Sequence, residues 1–200
     1  MIEAAEALER LSEGNRRFAA GNSNRNEADL RANLAELQAG QAPFAIVLAC
    51  SDSRVPVEMI FDQGLGDLFV IRVAGNVVAP SQVGSVEFAA TQLGAKLVVV
   101  LGHSNCGAVE ATLMELRREQ EHRSPNIRAI VDRIRPAIEP FIDDNDHVGL
   151  QEAVVANVRH SVGRLKHGSL ILEQLIESGD LVVVGAEYSI ERGEVNFLDN

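Results

Sequence analysis

Two cysteines, Cys50 and Cys106, are all that the 200 residues contain. That is too few for a disulfide-stapled scaffold and more typical of a reducing compartment. Basic residues are also scarce: 18 Lys and Arg stand against 29 Asp and Glu, giving a formal net charge of −11. Binding that depends on releasing counterions from phosphates is disfavoured, which argues against nucleic acid and an anionic membrane surface as partners. No apolar run approaches the roughly 20 residues needed to span a bilayer. The first residues, MIEAAEALERLSEGNRRF, are acidic and helix-periodic and lack the basic-then-apolar layout of a secretory signal. A cytoplasmic protein is therefore expected. Repeats, low-complexity segments and linkers are missing as well. With 46% hydrophobic and 24% charged residues the chain has an ordinary globular composition. Disorder and collagen-like repeats are excluded, and a single domain over 1–200 follows.

Ala4, Leu8, Leu11 and Phe18 recur at helical spacing until Gly21 and Asn22. They predict an amphipathic N-terminal helix, with a second helical stretch over about 26–37. Four continuous apolar runs follow: FAIVLA (44–49), LFVI (68–71), LVVVL (97–101) and LVVV (181–184). Runs without alternation suit strands covered on both faces, as in a parallel sheet. Helical patterns fill about 81–93, 107–119, 124–139, 148–165 and 170–178, with Pro125 in a favourable first-turn position and Pro136 expected to kink or end its helix early. Tyr188, Ile190, Val195 and Phe197 flank the turn Glu191-Arg192-Gly193 and predict a terminal hairpin. The fold class is α/β: a central, mostly parallel sheet flanked by helices, with an N-terminal helical arm (1–38), a βαβ core (43–106), and a C-terminal helical region with terminal strands (107–200). The arm's apolar face needs a covering surface, for which a second copy of the chain is expected. Gly64 and Gly66 read as a plain turn rather than a nucleotide loop.

In open α/β sheets ligands bind beyond the carboxyl ends of strands. The first apolar run ends in Cys50-Ser51-Asp52-Ser53-Arg54 and the third in Gly102-His103-Ser104-Asn105-Cys106-Gly107. Both cysteines and one of five histidines thus lie just past two strands expected to be neighbours. Two thiolates and an imidazole select zinc by softness and tetrahedral habit. Asp52 could supply the fourth ligand, or leave that position to water, and Arg54 could hold the Asp52 carboxylate bidentately and draw it off the metal. The remaining histidines, His122, His147, His160 and His167, read as solvated.

The motifs ACSDSRVP (49–56), FVIRVAGN (69–76) and GHSNCGA (102–108) resemble those of the β-class carbonic anhydrases, with supporting matches from LSEGNRRF to VVGAEYSIERGEV. The resemblance implies one zinc per chain on Cys50, His103 and Cys106, with Asp52 closing the metal in one state, and Asp52 and Arg54 as catalytic dyad. It implies substrate-pocket roles for Gln41, Phe69 and Phe88, partly across a subunit boundary, and places the Gly107 amide near the reacting oxygen. Some members carry a tryptophan three residues before the first zinc cysteine, where with an arginine and a tyrosine it forms a regulatory bicarbonate site. Here that position is Val47, while Arg72 and Tyr188 match the other two. The activity implied is reversible hydration of CO2 to bicarbonate and a proton, in a homodimer or homotetramer. The alternatives are COS or CS2 hydrolysis on the same scaffold and a non-catalytic zinc/thiol redox sensor.

Overall fold

The structure, a computed structural model, describes residues 2–23, 34–117, 124–142 and 149–199. Helix α1 (Ala4–Ala19) is followed by a short helix α2 (Leu34–Leu37), strand β1 (Ala45–Ala49), helix α3 (Val57–Ile60) and strand β2 (Leu68–Arg72). A 3-10 turn (Ala74–Asn76) leads into α4 (Pro80–Gln92) and β3 (Leu97–His103). Helices α5 (Gly107–Leu116), α6 (Pro125–Ile138), α7 (Leu150–His167) and α8 (Leu170–Glu177) precede β4 (Val182–Tyr188) and β5 (Val195–Phe197). The sheet order is β2-β1-β3-β4-β5, parallel except for the antiparallel β5.

The continuous apolar runs are strands because both sheet faces are covered. Val47, Ala49, Val99 and Leu101 face a core layer shared with α1, α3 and the C-terminal segment. Ile46, Leu48, Val98 and Val100 face the other layer, under α4, α7 and α8. A third cluster collects at the carboxyl ends of the strands, where Cys50, Cys106, Val109, Ile134 and Val154 pack together.

Several expectations are corrected. β3 runs through Gly102 and His103, because both pair with β4, at Glu187 and Tyr188. The last apolar run and the first hairpin arm are one strand, since β4 continues to Tyr188 and pairs there with Val195. Pro136 does not stop α6, which extends to Ile138: a single backbone donor is lost in the last turn, where Ala137 and Ile138 are drawn into the core. Of the expected helix over 26–37, residues 26–33 lie outside those described, as do His122 and His147.

The N-terminal helix packs part of its apolar face on its own chain, while Ala4, Leu8 and Phe18 are half-buried. Ala7 and Leu11 are fully buried against the sheet. Asn15 donates from Nδ2 to the carbonyls of Ile60 (3.1 Å) and Gly193 (2.9 Å), and its Oδ1 accepts from the Val195 amide (2.8 Å). Arg17 pairs with the buried Asp62 at 2.7 Å. Gly14 lies so close to the neighbouring loop that a Cβ there would sit 1.8 Å from the Phe61 carbonyl oxygen. Helix propensity alone favours alanine over glycine by about 1 kcal/mol, yet Gly14→Ala is expected to lower the urea midpoint at fixed protein concentration, because backbone must move. Leu11→Ala, by emptying a fully buried site, is expected to cost about 2–5 kcal/mol in the same measurement.

Candidate metal centre

Three strand ends meet at one point of the sheet. Ala49 is in register with Arg72 on one side and Leu101 on the other, so the residues following β1 lie between the ends of β2 and β3. Cys50 is the first residue after β1, His103 is the last of β3, and Cys106 is the N-cap of α5 after a turn in which Asn105 adopts φ 55°. The ligand atoms of Cys50, His103 and Cys106 all lie within 4.8 Å of one another, and all three residues are buried. Tetrahedral zinc, with bonds of about 2.3 Å to sulfur and about 2.0–2.1 Å to nitrogen, holds its donors well inside that spread.

The histidine is set for this task by its other nitrogen. Nδ1 lies 2.9 Å from the Ser104 carbonyl and donates to it, which leaves Nε2 to present a lone pair. Nε2 is buried with no hydrogen-bond partner among the described residues. A buried, unsatisfied nitrogen beside two thiols is the donor set a soft-to-borderline cation completes.

The sulfurs respond to one another in the same sense. Cys50 is pulled down to about 4, first by the hydrogen bond from the Cys106 thiol, against burial, and further by His103 and the Gly75 amide. Cys106 is pushed up, first by Cys50 and then by burial. For His103, burial works to lower the pKa, but the Cys50 sulfur more than offsets it and the net shift is upward. Burial and mutual repulsion thus oppose a second negative charge on the two thiols, and a cation bound between them would relieve that opposition.

Asp52 is turned to Arg54. Arg54 Nε donates to Asp52 Oδ1 at 2.9 Å and Nη2 to Oδ2 at 2.8 Å, while the Arg54 amide donates to Oδ1 at 2.9 Å. These hydrogen bonds hold the Asp52 carboxyl well below the usual carboxylate range. Arg54 Nη2 also donates to the Asn105 carbonyl at 3.1 Å, tying the loop after β1 to the loop after β3. Asp52 Oδ2 is 3.9 Å from His103 Nε2, so the carboxylate borders the Cys-His-Cys cluster without joining it.

Residues that the sequence reading gave no part in shaping the centre surround it. Arg72 donates from Nε to the Cys50 carbonyl (3.1 Å) and from Nη2 to the Asp52 carbonyl (2.6 Å), fixing the backbone on both sides of Ser51. The Gly75 amide donates to Cys50 Sγ at 3.3 Å from a residue with φ 69°. The signal available in the sequence was the position of Arg72 at a strand end and the glycine three residues on, in the loop that follows. Val47 and Tyr188 are buried in the layer beneath α1, and Arg72 is engaged by the loop carbonyls.

Of the other pocket residues, Gly107 adjoins the triad as the chain neighbour of Cys106, and Gln41, Phe69 and Phe88 contribute no donor to the Cys-His-Cys cluster. Phe69 and Phe88 meet each other, with ring centroids 6.2 Å apart, and Phe88 is 48% exposed. Gln41 is exposed ahead of β1. Gly107 opens α5 with free space where a Cβ would stand. His160 lines a cleft between α4, α6 and α7, with Arg133 and Arg164.

Residues 45–195 match the family model described as carbonic anhydrase. The carbonic anhydrase of Mycolicibacterium smegmatis is 40% identical over 190 residues, spanning 94% of this chain and 90% of that one. Carbonic anhydrase 2 of Mycobacterium tuberculosis is 38% identical over 197 residues, spanning 97% of this chain and 92% of the relative. Among solved structures, the β-carbonic anhydrase CcaA superposes with a TM-score of 0.77 at 30% identity, over 96% of this chain and 95% of that one. A buried Cys-His-Cys cluster at the strand ends of a five-stranded sheet and relatives aligned along nearly their whole length lead to one conclusion: the chain belongs to the β-class carbonic anhydrases.

Proposed function

We propose that Cys50, His103 and Cys106 hold one zinc ion and that Asp52 and Arg54 act as a dyad on the water that adds to CO2. The observation that carries this reading is the bidentate Arg54–Asp52 pair lying 3.9 Å from the imidazole of the buried Cys-His-Cys cluster. When bound, zinc is a Lewis acid that makes a water available as a nucleophile near neutral pH.

The chain's own residues then set geometry. Asp52, held ionised by Arg54, is too weak a base to take a proton outright near neutral pH, so its part is to accept a hydrogen bond from the reacting water. Oδ2 is the oxygen that serves, because Oδ1 already accepts twice from Arg54. That bond spends the water's hydrogen on Asp52 and leaves a lone pair for the CO2 carbon. Were the Arg54 contact broken, the same carboxylate would be free to serve as a fourth ligand to the zinc that Cys50, His103 and Cys106 would hold. Arg54 is in this reading the gate between the two states. Gly107, at the first turn of α5, offers its amide to the anionic product. Phe69 and Phe88 supply an apolar wall and Gln41 a polar side chain to a CO2 pocket shared with a second copy, as a homodimer or homotetramer; a Sordaria macrospora structure of the same fold, at 22% identity, is described as one of two tetrameric β-carbonic anhydrases.

Stopped-flow CO2 hydration with metal analysis tests the dyad. Asp52→Asn and Arg54→Ala should keep about one zinc per chain while losing about 100-fold or more in kcat/KM; wild-type rates in Arg54→Ala would end the gating idea. The ion pair also has a pH signature in the metal-free protein. Because Asp52 is depressed, the pair's stabilisation is complete above the ordinary carboxylate pKa of about 4 and is lost only as pH falls through the lower folded value. The Asp52 carboxylate carbon should show no NMR titration from pH 7 down to 4, and should regain a midpoint near 4 in Arg54→Ala.

A further inference from the structure

The turn that serves the Cys50 sulfur is itself held from across the core. Gly75 and Asn76 are consecutive residues in the left-handed region, with φ 69° and 44°, which Asn tolerates and few other side chains do. Their carbonyls point to α7. Asn157 Nδ2 donates to the Gly75 carbonyl at 2.8 Å, and Ser161 Oγ donates to the Asn76 carbonyl at 3.1 Å. Both are four residues apart on one face of a helix whose neighbouring positions, Val154, Val158, Val162 and Leu165, are apolar and buried. Asn157 is fully buried and Ser161 is 1% exposed.

Stability alone gives a poor account of this pair. Asn157 Oδ1 has no hydrogen-bond partner among the described residues, and a buried acceptor left unsatisfied is a net cost. What the side chain does achieve is directional. It fixes the peptide on the far side of Gly75, whose amide donates to Cys50 Sγ at 3.3 Å. We propose that Asn157 and Ser161 are positioning residues that act through the Gly75-Asn76 turn to aim an amide at the Cys50 sulfur and so tune it as a metal ligand. The inference rests on the metal reading given above. An N–H donated to a thiolate withdraws electron density from sulfur, and outer-shell groups of this kind typically change metal affinity about 10–100-fold.

Cobalt substitution of the full-length protein separates this role from simple packing. Wild type loaded with Co2+ should show a thiolate-to-metal charge-transfer band, and its absence would overturn the metal reading itself and this inference with it. In Asn157→Leu and Ser161→Ala the band should move to lower energy, because the sulfur regains electron density, and zinc should bind about tenfold more weakly in competition with a chelator, because the loosened turn no longer holds the Cys50 sulfur in place and this outweighs its stronger donation. A packing role would lower the melting temperature and leave the band in place. Bands at the wild-type energy with zinc affinity within twofold would overturn the proposal; should Asn157→Leu fail to fold, Ser161→Ala decides alone.

Discussion

Two thiols and an imidazole packed into a buried space within 4.8 Å carry a charge problem that the fold must solve. The two sulfurs push each other's ionisation apart, Cys50 pulled down and Cys106 pushed up, so a second negative charge in the same space is disfavoured. The arrangement makes chemical sense around a divalent ion, and much of the surrounding structure reads as what is needed to keep it waiting for one. Parallel pairing of β1 with β3, in register up to Ala49 and Leu101, brings the residues that follow Ala49 to the end of β3 that carries His103. The Ser104 carbonyl chooses the imidazole tautomer. Arg72 clamps the chain on both sides of Ser51, so the loop between the first cysteine and the aspartate has little freedom to drift.

Charge is distributed around this centre by locality. Asp52 and Arg54 are two residues apart and need only a tight turn to meet, whereas Arg72 and Cys50 meet because parallel register brings position 72 opposite 49. One arginine therefore acts on a side chain and the other on backbone, although both sit at the same strand ends. Exchanging their roles would require a different register, not a different residue. This division leaves the Asp52 carboxylate engaged from one direction only, with the face toward His103 open.

The ligand set was legible in the sequence because each ligand follows an apolar run, and strands buried on both faces announce themselves as such runs. The strand ends were less legible. His103 read as a loop residue because Gly102 interrupts the apolar pattern, and only the pairing of both with Glu187 and Tyr188 keeps them in the sheet. The arm's apolar face was visible, but its covering surface was not, since Phe61 and the C-terminal hairpin approach α1 from far along the chain. Nothing in the sequence sets Asn157 apart within the helical pattern over 148–165, because its partner is a carbonyl 82 residues away and backbone acceptors leave no trace in residue identities.

Asn15 binds the carbonyl of Gly193 and the amide of Val195, joining the first helix to the last hairpin of the chain. While the chain is being made, α1 thus lacks its central polar anchor until residues 193–195 have emerged. During synthesis its apolar face has sheet to cover as soon as β1 and β3 exist, but the lock that fixes its register is the last part to be made. A chain stalled or truncated before residue 193 would carry the Cys-His-Cys pocket under an unfastened arm.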